Sequence, residues 1–136
     1  MKIALVAHGD NPPYLKELFN GEGFELVEKE CNNEKEYIDL LKDADGALIY
    51  LHPLTTKEVM EQCSNLKVIS RGGVGVDSVD LEAATELGIC ICNTPGINTT
   101  EVADHAMAML LSLTRKIREQ DALVKKGYWA DKTELV

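Results

Sequence analysis

Along its first ninety residues the chain alternates short apolar runs with segments whose apolar positions recur at helical spacing. Ile3 to Ala7 reads as a strand ending at His8-Gly9-Asp10. Asn11-Pro12-Pro13 breaks it and leads into a helix over Tyr14 to Asn20, stopped by Gly21 and Gly23. Phe24 to Val27 is a second strand, and Glu34 to Lys42 a second helix carried by Tyr37, Ile38 and Leu41. Gly46 to Leu51 is apolar throughout, as expected of a strand buried on both faces of a parallel sheet. The pattern then repeats. Thr56 to Cys63 is a short helix with a Thr cap, and Lys67 to Ser70 a fourth strand. A glycine-rich loop, Arg71 to Ser78, follows it. Val79 to Leu87 is a helix closed by Gly88, and Ile89 to Cys92 the fifth strand.

Strict alternation of this kind predicts an α/β fold with parallel pairing and right-handed crossovers. For five strands the compatible arrangement is a flavodoxin-like, doubly wound parallel sheet. The last third differs. After the turn-rich Asn93-Thr94-Pro95-Gly96-Ile97-Asn98, a long helix is expected from Thr99-Thr100 to about Lys125-Lys126. Glu101 and Asp104 lie near its positive end, and cations near its negative end. Val102 to Leu113 is apolar nearly all round, so this helix must be buried on several sides. Another domain or a second copy of the chain would have to cover it.

Composition restricts the partners. In 136 residues, 14 Lys+Arg stand against 23 Asp+Glu, a net charge of -9. Such a surface excludes a general nucleic-acid binder, while a local site for one small anion stays open. The longest apolar run, Ala106 to Leu111, is too short to cross a bilayer, and the N-terminus runs straight into a strand. A soluble, cytoplasmic protein is expected. Cys31, Cys63, Cys90 and Cys92 form no CxxC pair, and His105 alone does not complete a zinc set. Buried, reduced thiols are the expectation, with Cys90 and Cys92 on one face of their strand and no metal site.

Arg71-Gly72-Gly73-Val74-Gly75-Val76-Asp77 follows a strand at the carboxyl edge of the sheet, where open α/β folds place ligands. Its glycines could bring backbone N–H groups against a carboxylate, or could serve only a tight turn. It is not a dinucleotide fingerprint, because the third glycine is missing. His52, after the third strand at the same edge, could touch an anion or simply end the strand. Asn98 could cap the long helix or present its amide to a ligand.

Several segments stand together in order: Val68 to Asp80, Ala83-Ala84, Gly88-Ile89, Asn93 to Asn98, Val102-Ala103-Asp104-His105, Arg115 and Gly127-Tyr128-Trp129. Over residues 67 to 129 they resemble the N-terminal part of the D-isomer-specific 2-hydroxyacid dehydrogenases. The first 66 residues match only in pattern. The resemblance implies a two-domain oxidoreductase that moves a hydride between NAD and a 2-hydroxy/2-oxo acid. Residues 1–98 would be the substrate domain, and 99–136 a linker helix with the start of an NAD-binding Rossmann domain. Substrate contacts would fall on His52, Gly73, Val74, Gly75 and Asn98, and nicotinamide contacts on Val74 and Val102. Asp104 stands where the family usually has Glu. The family's GxGxxG and its catalytic Arg, acidic residue and His have no counterpart in 1–136. No catalytic residue is therefore expected here, and the piece alone should be inactive.

Self-association through the helix 100–126, at Ala103, Met107, Leu110 and Leu111, would give a homodimer. Two other classes compete. One is a stand-alone small-anion-binding or regulatory module of the same fold. The other is a phospho-receiver or flavodoxin, which Leu51-His52-Pro53 (no Asp) and His8 to Pro13 (a poor phosphate loop) disfavour.

Overall fold

The five apolar runs read as strands form one parallel sheet. The computed structural model describes residues 1–7 and 11–128. Its strands are β1 (Lys2–Val6), β2 (Glu25–Lys29), β3 (Gly46–Ile49), β4 (Val68–Arg71) and β5 (Cys90–Cys92). Helices α1 (Tyr14–Gly21), α2 (Glu34–Leu41), α3 (Lys57–Glu61) and α4 (Leu81–Leu87) connect them. The strand order is β2-β1-β3-β4-β5, the flavodoxin-like order expected from the sequence. His8-Gly9-Asp10 and the residues from Trp129 onward lie outside the described residues.

Side-chain alternation builds the core. Val27, Ala4, Ala47, Ile69 and Ile91 stand in register across the five strands and share one face. Against this row pack Tyr37, Leu40 and Leu41 of α2, Val59 and Met60 of α3, and Ala83 and Ala84 of α4. The opposite face carries α1 beside β2, where Lys16 Nζ pairs with Glu28 at 2.8 Å. That contact, with the Asn11 amide, holds the Glu28 carboxyl below its ordinary value.

Local signals set the helix starts. Asn33 accepts from Glu36 N at 2.9 Å, and Glu36 in turn accepts from Asn32 N at 3.0 Å. Thr56 caps α3, and Asp80 caps α4 by accepting from Ala83 N at 3.0 Å. Gly88 ends α4 at φ 71°, a left-handed position where a Cβ would be strained. Helix α4 starts two residues later than its apolar pattern suggests, because Val79 bridges to Thr55 instead.

The thiols divide. Cys63 is buried and Cys31 partly so, but Cys90 and Cys92 are exposed, against expectation. They share a face as alternation required, yet it is the face opposite the core row, on an edge strand. Three helices cover the other side of the sheet there.

The chain divides into two compact units, Met1–Ile97 and Asn98–Val136. The second holds α5 (Thr99–Thr114) and α6 (Ile117–Lys125), not the single long helix expected. The break is at Lys116, which takes φ 48° and ψ 40°. Thr114 turns its hydroxyl back onto the Leu110 and Leu111 carbonyls at 3.0 and 3.2 Å, and Gln120 Nε2 donates to the freed Arg115 carbonyl at 3.0 Å. A β-branched residue bonding to its own helix weakens the last turn. Periodicity could not reveal this, because Arg and Lys are good helix formers. Asn98 occupies the N-cap position of α5 without a side-chain bond. The apolar side chains of α5 are exposed, Leu113 at 79% and Val102 at 60%.

Candidate functional site

The carboxyl ends of β3 and β4 lie side by side, Ile49 in register with Arg71, so their exit loops share one edge of the sheet. Gly72 N donates to the Ile49 carbonyl at 2.8 Å, and Gly73 N to the Arg71 carbonyl at 2.8 Å. None of Gly72, Gly73 and Gly75 takes a positive φ. Their value is space. A Cβ on Gly72 would sit 2.8 Å from the Tyr50 ring, and one on Gly75 would sit 2.9 Å from Asp77 Oδ2. A Cβ on Gly73 would run into the Arg71 guanidinium, with Cζ only 2.6 Å away. Arg71 therefore folds back beneath its own loop, using the room that glycine leaves. Its Nε is buried with no hydrogen-bond partner.

Two further bonds shape the loop tip. Thr94 N donates to the Gly73 carbonyl at 3.0 Å, and Asn93 Nδ2 to the Val74 carbonyl at 2.7 Å. The N–H groups of Val74 and Gly75 donate to nothing among the described residues. Both residues are exposed. The result is a run of open donors from Val74 to Asp77, with the Arg71 guanidinium against Gly73 and the Val74 isopropyl group exposed. Open amides near a cation suit a small carboxylate. The Asp77 carboxylate stands close to Gly75 and adds a negative charge beside these amides.

The base of this loop is fixed from the core. Thr55 N donates to the Ser78 carbonyl at 2.8 Å, and Asp80 N to the Thr55 carbonyl at 3.0 Å. The Thr55 hydroxyl meets Tyr37 Oη at 2.6 Å in a fully buried pair. Burial pushes the Tyr37 phenol up to about 12, the Thr55 bond opposing this only in part. Tyr37 is thus a neutral strut at working pH.

His52 follows β3 at the same edge and is exposed, so it and residues 73–75 occupy neighbouring loops. Asn98 and Val102 belong to the second unit, where Val102 N donates to the Asn98 carbonyl at 3.0 Å. Among the described residues, no three His, Cys, Asp or Glu side chains stand close enough to hold a metal. No helix there is long and apolar enough to cross a membrane. Sequence reading named Arg71 and Asn93 only as parts of motifs. The available signal was a charged residue at the end of a buried strand and an amide residue at the end of the next.

A parallel sheet in this order, with open backbone donors at its carboxyl edge, defines a class. The model of the D-isomer specific 2-hydroxyacid dehydrogenase catalytic domain matches residues 4–129, and the chain belongs to that family. Among its relatives, D-3-phosphoglycerate dehydrogenase of Sus scrofa is 37% identical over 120 residues, 88% of this chain and 22% of that protein. D-3-phosphoglycerate dehydrogenase of Archaeoglobus fulgidus is 38% identical over 110 residues, 81% of this chain and 21% of that protein. The solved NAD-dependent formate dehydrogenase of Staphylococcus aureus, in complex with NAD, superposes with a TM-score of 0.78 at 31% identity. That match covers 95% of this chain and 43% of the formate dehydrogenase. The chain thus spans about a fifth of the curated relatives it matches.

Proposed function

We propose that residues 1–98 are the acid-binding domain, and 99–136 the start of the cofactor domain, of an NAD-dependent oxidoreductase acting on 2-hydroxy acids of the D-3-phosphoglycerate type. The observation that carries this reading is the open Val74 and Gly75 amides, next in the chain to Gly73, against which the Arg71 guanidinium lies. They hold the substrate carboxylate and leave its α-carbon facing outward. His52 contacts the remainder of the substrate from the neighbouring loop, and Asn98 its carbonyl. Val74, 42% exposed beside the open amides, offers an apolar surface suited to one face of a nicotinamide ring, as does Val102 in the second unit.

When bound, NAD would serve as acceptor or donor of the hydride, matched by loss or gain of a proton at the substrate oxygen. None of residues 1–136 is assigned that proton transfer. The role of this chain is to orient the acid, which lowers the barrier through positioning. Two copies pair through Ala103, Met107, Leu110 and Leu111, in a soluble, cytoplasmic enzyme.

Titration of the ¹⁵N-labelled 136-residue chain with pyruvate, hydroxypyruvate and phosphohydroxypyruvate tests the reading. The Val74 and Gly75 amide resonances should move, and the chain alone should oxidise no NADH. Resonances that stay fixed with all three acids would refute the acid-binding assignment.

A further inference from the structure

A peptide group is planar and trans, so its carbonyl and its N–H point in opposite directions. The Gly73 carbonyl and the Val74 N–H form one such group. The Val74 carbonyl and the Gly75 N–H form the next. In both, the carbonyl is held by the exit of β5, through Thr94 N at 3.0 Å and Asn93 Nδ2 at 2.7 Å. Anchoring a carbonyl on one side therefore aims the N–H on the other. Each of these two peptide groups thus has a tied carbonyl and an N–H that donates to nothing among the described residues.

The Thr94 tether is backbone and survives any side-chain change. The Asn93 tether is a single carboxamide reaching from an adjacent strand end, and Val74 is itself exposed, so packing does little to hold this peptide. From this geometry we infer that Asn93 is a positioning residue for acid binding: its Nδ2–H holds the Val74 carbonyl and so directs the Gly75 N–H at the carboxylate. Asn93 touches no substrate atom; it acts through the 74–75 peptide. The Asn side chain is needed for its N–H, because a carbonyl cannot be held by a group that only accepts. The inference rests on the acid-binding reading above.

Asn93→Asp is the discriminating change. It keeps the shape, removes the donor, and sets a carboxylate oxygen against the Val74 carbonyl. Asn93→Gln keeps the donor on a longer arm. Without ligand, the Val74 carbonyl ¹³C resonance and the Gly75 amide should shift in Asn93→Asp, while the amides of β1 to β4 stay in place. The apparent Kd for pyruvate or hydroxypyruvate should rise about 5- to 15-fold in Asn93→Asp, the range for losing one well-made bond to a carbonyl. Asn93→Gln should recover part of that loss. Midpoint temperatures of all three proteins should agree closely, separating aim from folding.

If wild type binds acid at Val74 and Gly75 while Asn93→Asp binds equally well, the positioning role is wrong and the acid site stands. If the ligand-free Val74 carbonyl resonance is unchanged in Asn93→Asp, the tether itself is refuted. If wild type shows no response to any acid, the acid-binding reading falls and takes this inference with it.

Discussion

Removing one oxygen from the buried Tyr37–Thr55 pair tests how the candidate loop is braced. Tyr37→Phe deletes the phenol but leaves the Thr55 hydroxyl in a site only 1% exposed. An orphaned buried hydroxyl costs roughly 1–3 kcal/mol, more than the net value of the bond it lost. Thr55→Val orphans the phenol instead and should cost a similar amount. The double variant leaves neither group unpaired, so its loss should fall about 1 kcal/mol or more short of the sum of the singles. Urea titrations with a shared m-value give all three free energies. Because Thr55 also bonds Ser78 and Asp80 through its backbone, the Thr55 and Asp80 amides should exchange faster in either single variant. Strict additivity in the cycle would refute the idea that this pair is a coupled brace.

Three other outcomes are expected. Gly73→Ala displaces only the flexible end of Arg71, so thermal stability should change little while affinity for a 2-oxo acid falls about tenfold or more, read by titration calorimetry. Ellman's reagent at neutral pH should react quickly with two thiols, Cys90 and Cys92. The buried Cys63, its thiol pushed up to about 11, should react only on unfolding. Asp45 accepts from Lys2 N at 2.8 Å, which holds its carboxyl below the ordinary value, with Lys67 adding to the effect. Its stabilisation is therefore complete above the unfolded value of roughly 3.9 and is lost as pH falls through the folded one. The drop in Tm caused by Asp45→Ala should accordingly be full at pH 7 and shrink in acid, as measured by calorimetry.

The five strands and the first four helices were legible because their signals are local. An all-apolar Gly46–Ile49, the cap at Thr56 and Gly88 after α4 each fix a boundary within a few residues. Alternation also placed Cys90 and Cys92 on a shared face, and motif order placed residues 73–75 at the ligand edge. Which face of β5 meets the core could not be read from Cys-Ile-Cys, since both faces carry apolar side chains and the choice depends on where α2, α3 and α4 lie. The break at Lys116 was hidden for a related reason. A left-handed lysine in a run of good helix formers leaves no compositional trace.

The sequence by itself determined the element order, the strand pattern and the glycine positions, because these depend on neighbours a few residues away. Only the tertiary structure decided what those glycines are for. Arg71 beneath Gly73, Tyr50 beside Gly72 and Asn93 on the Val74 carbonyl are contacts between different segments or folded-back side chains. They exist because parallel pairing brings the ends of β3, β4 and β5 together. Such contacts depend on distance in space, which the order of residues along the chain does not encode locally.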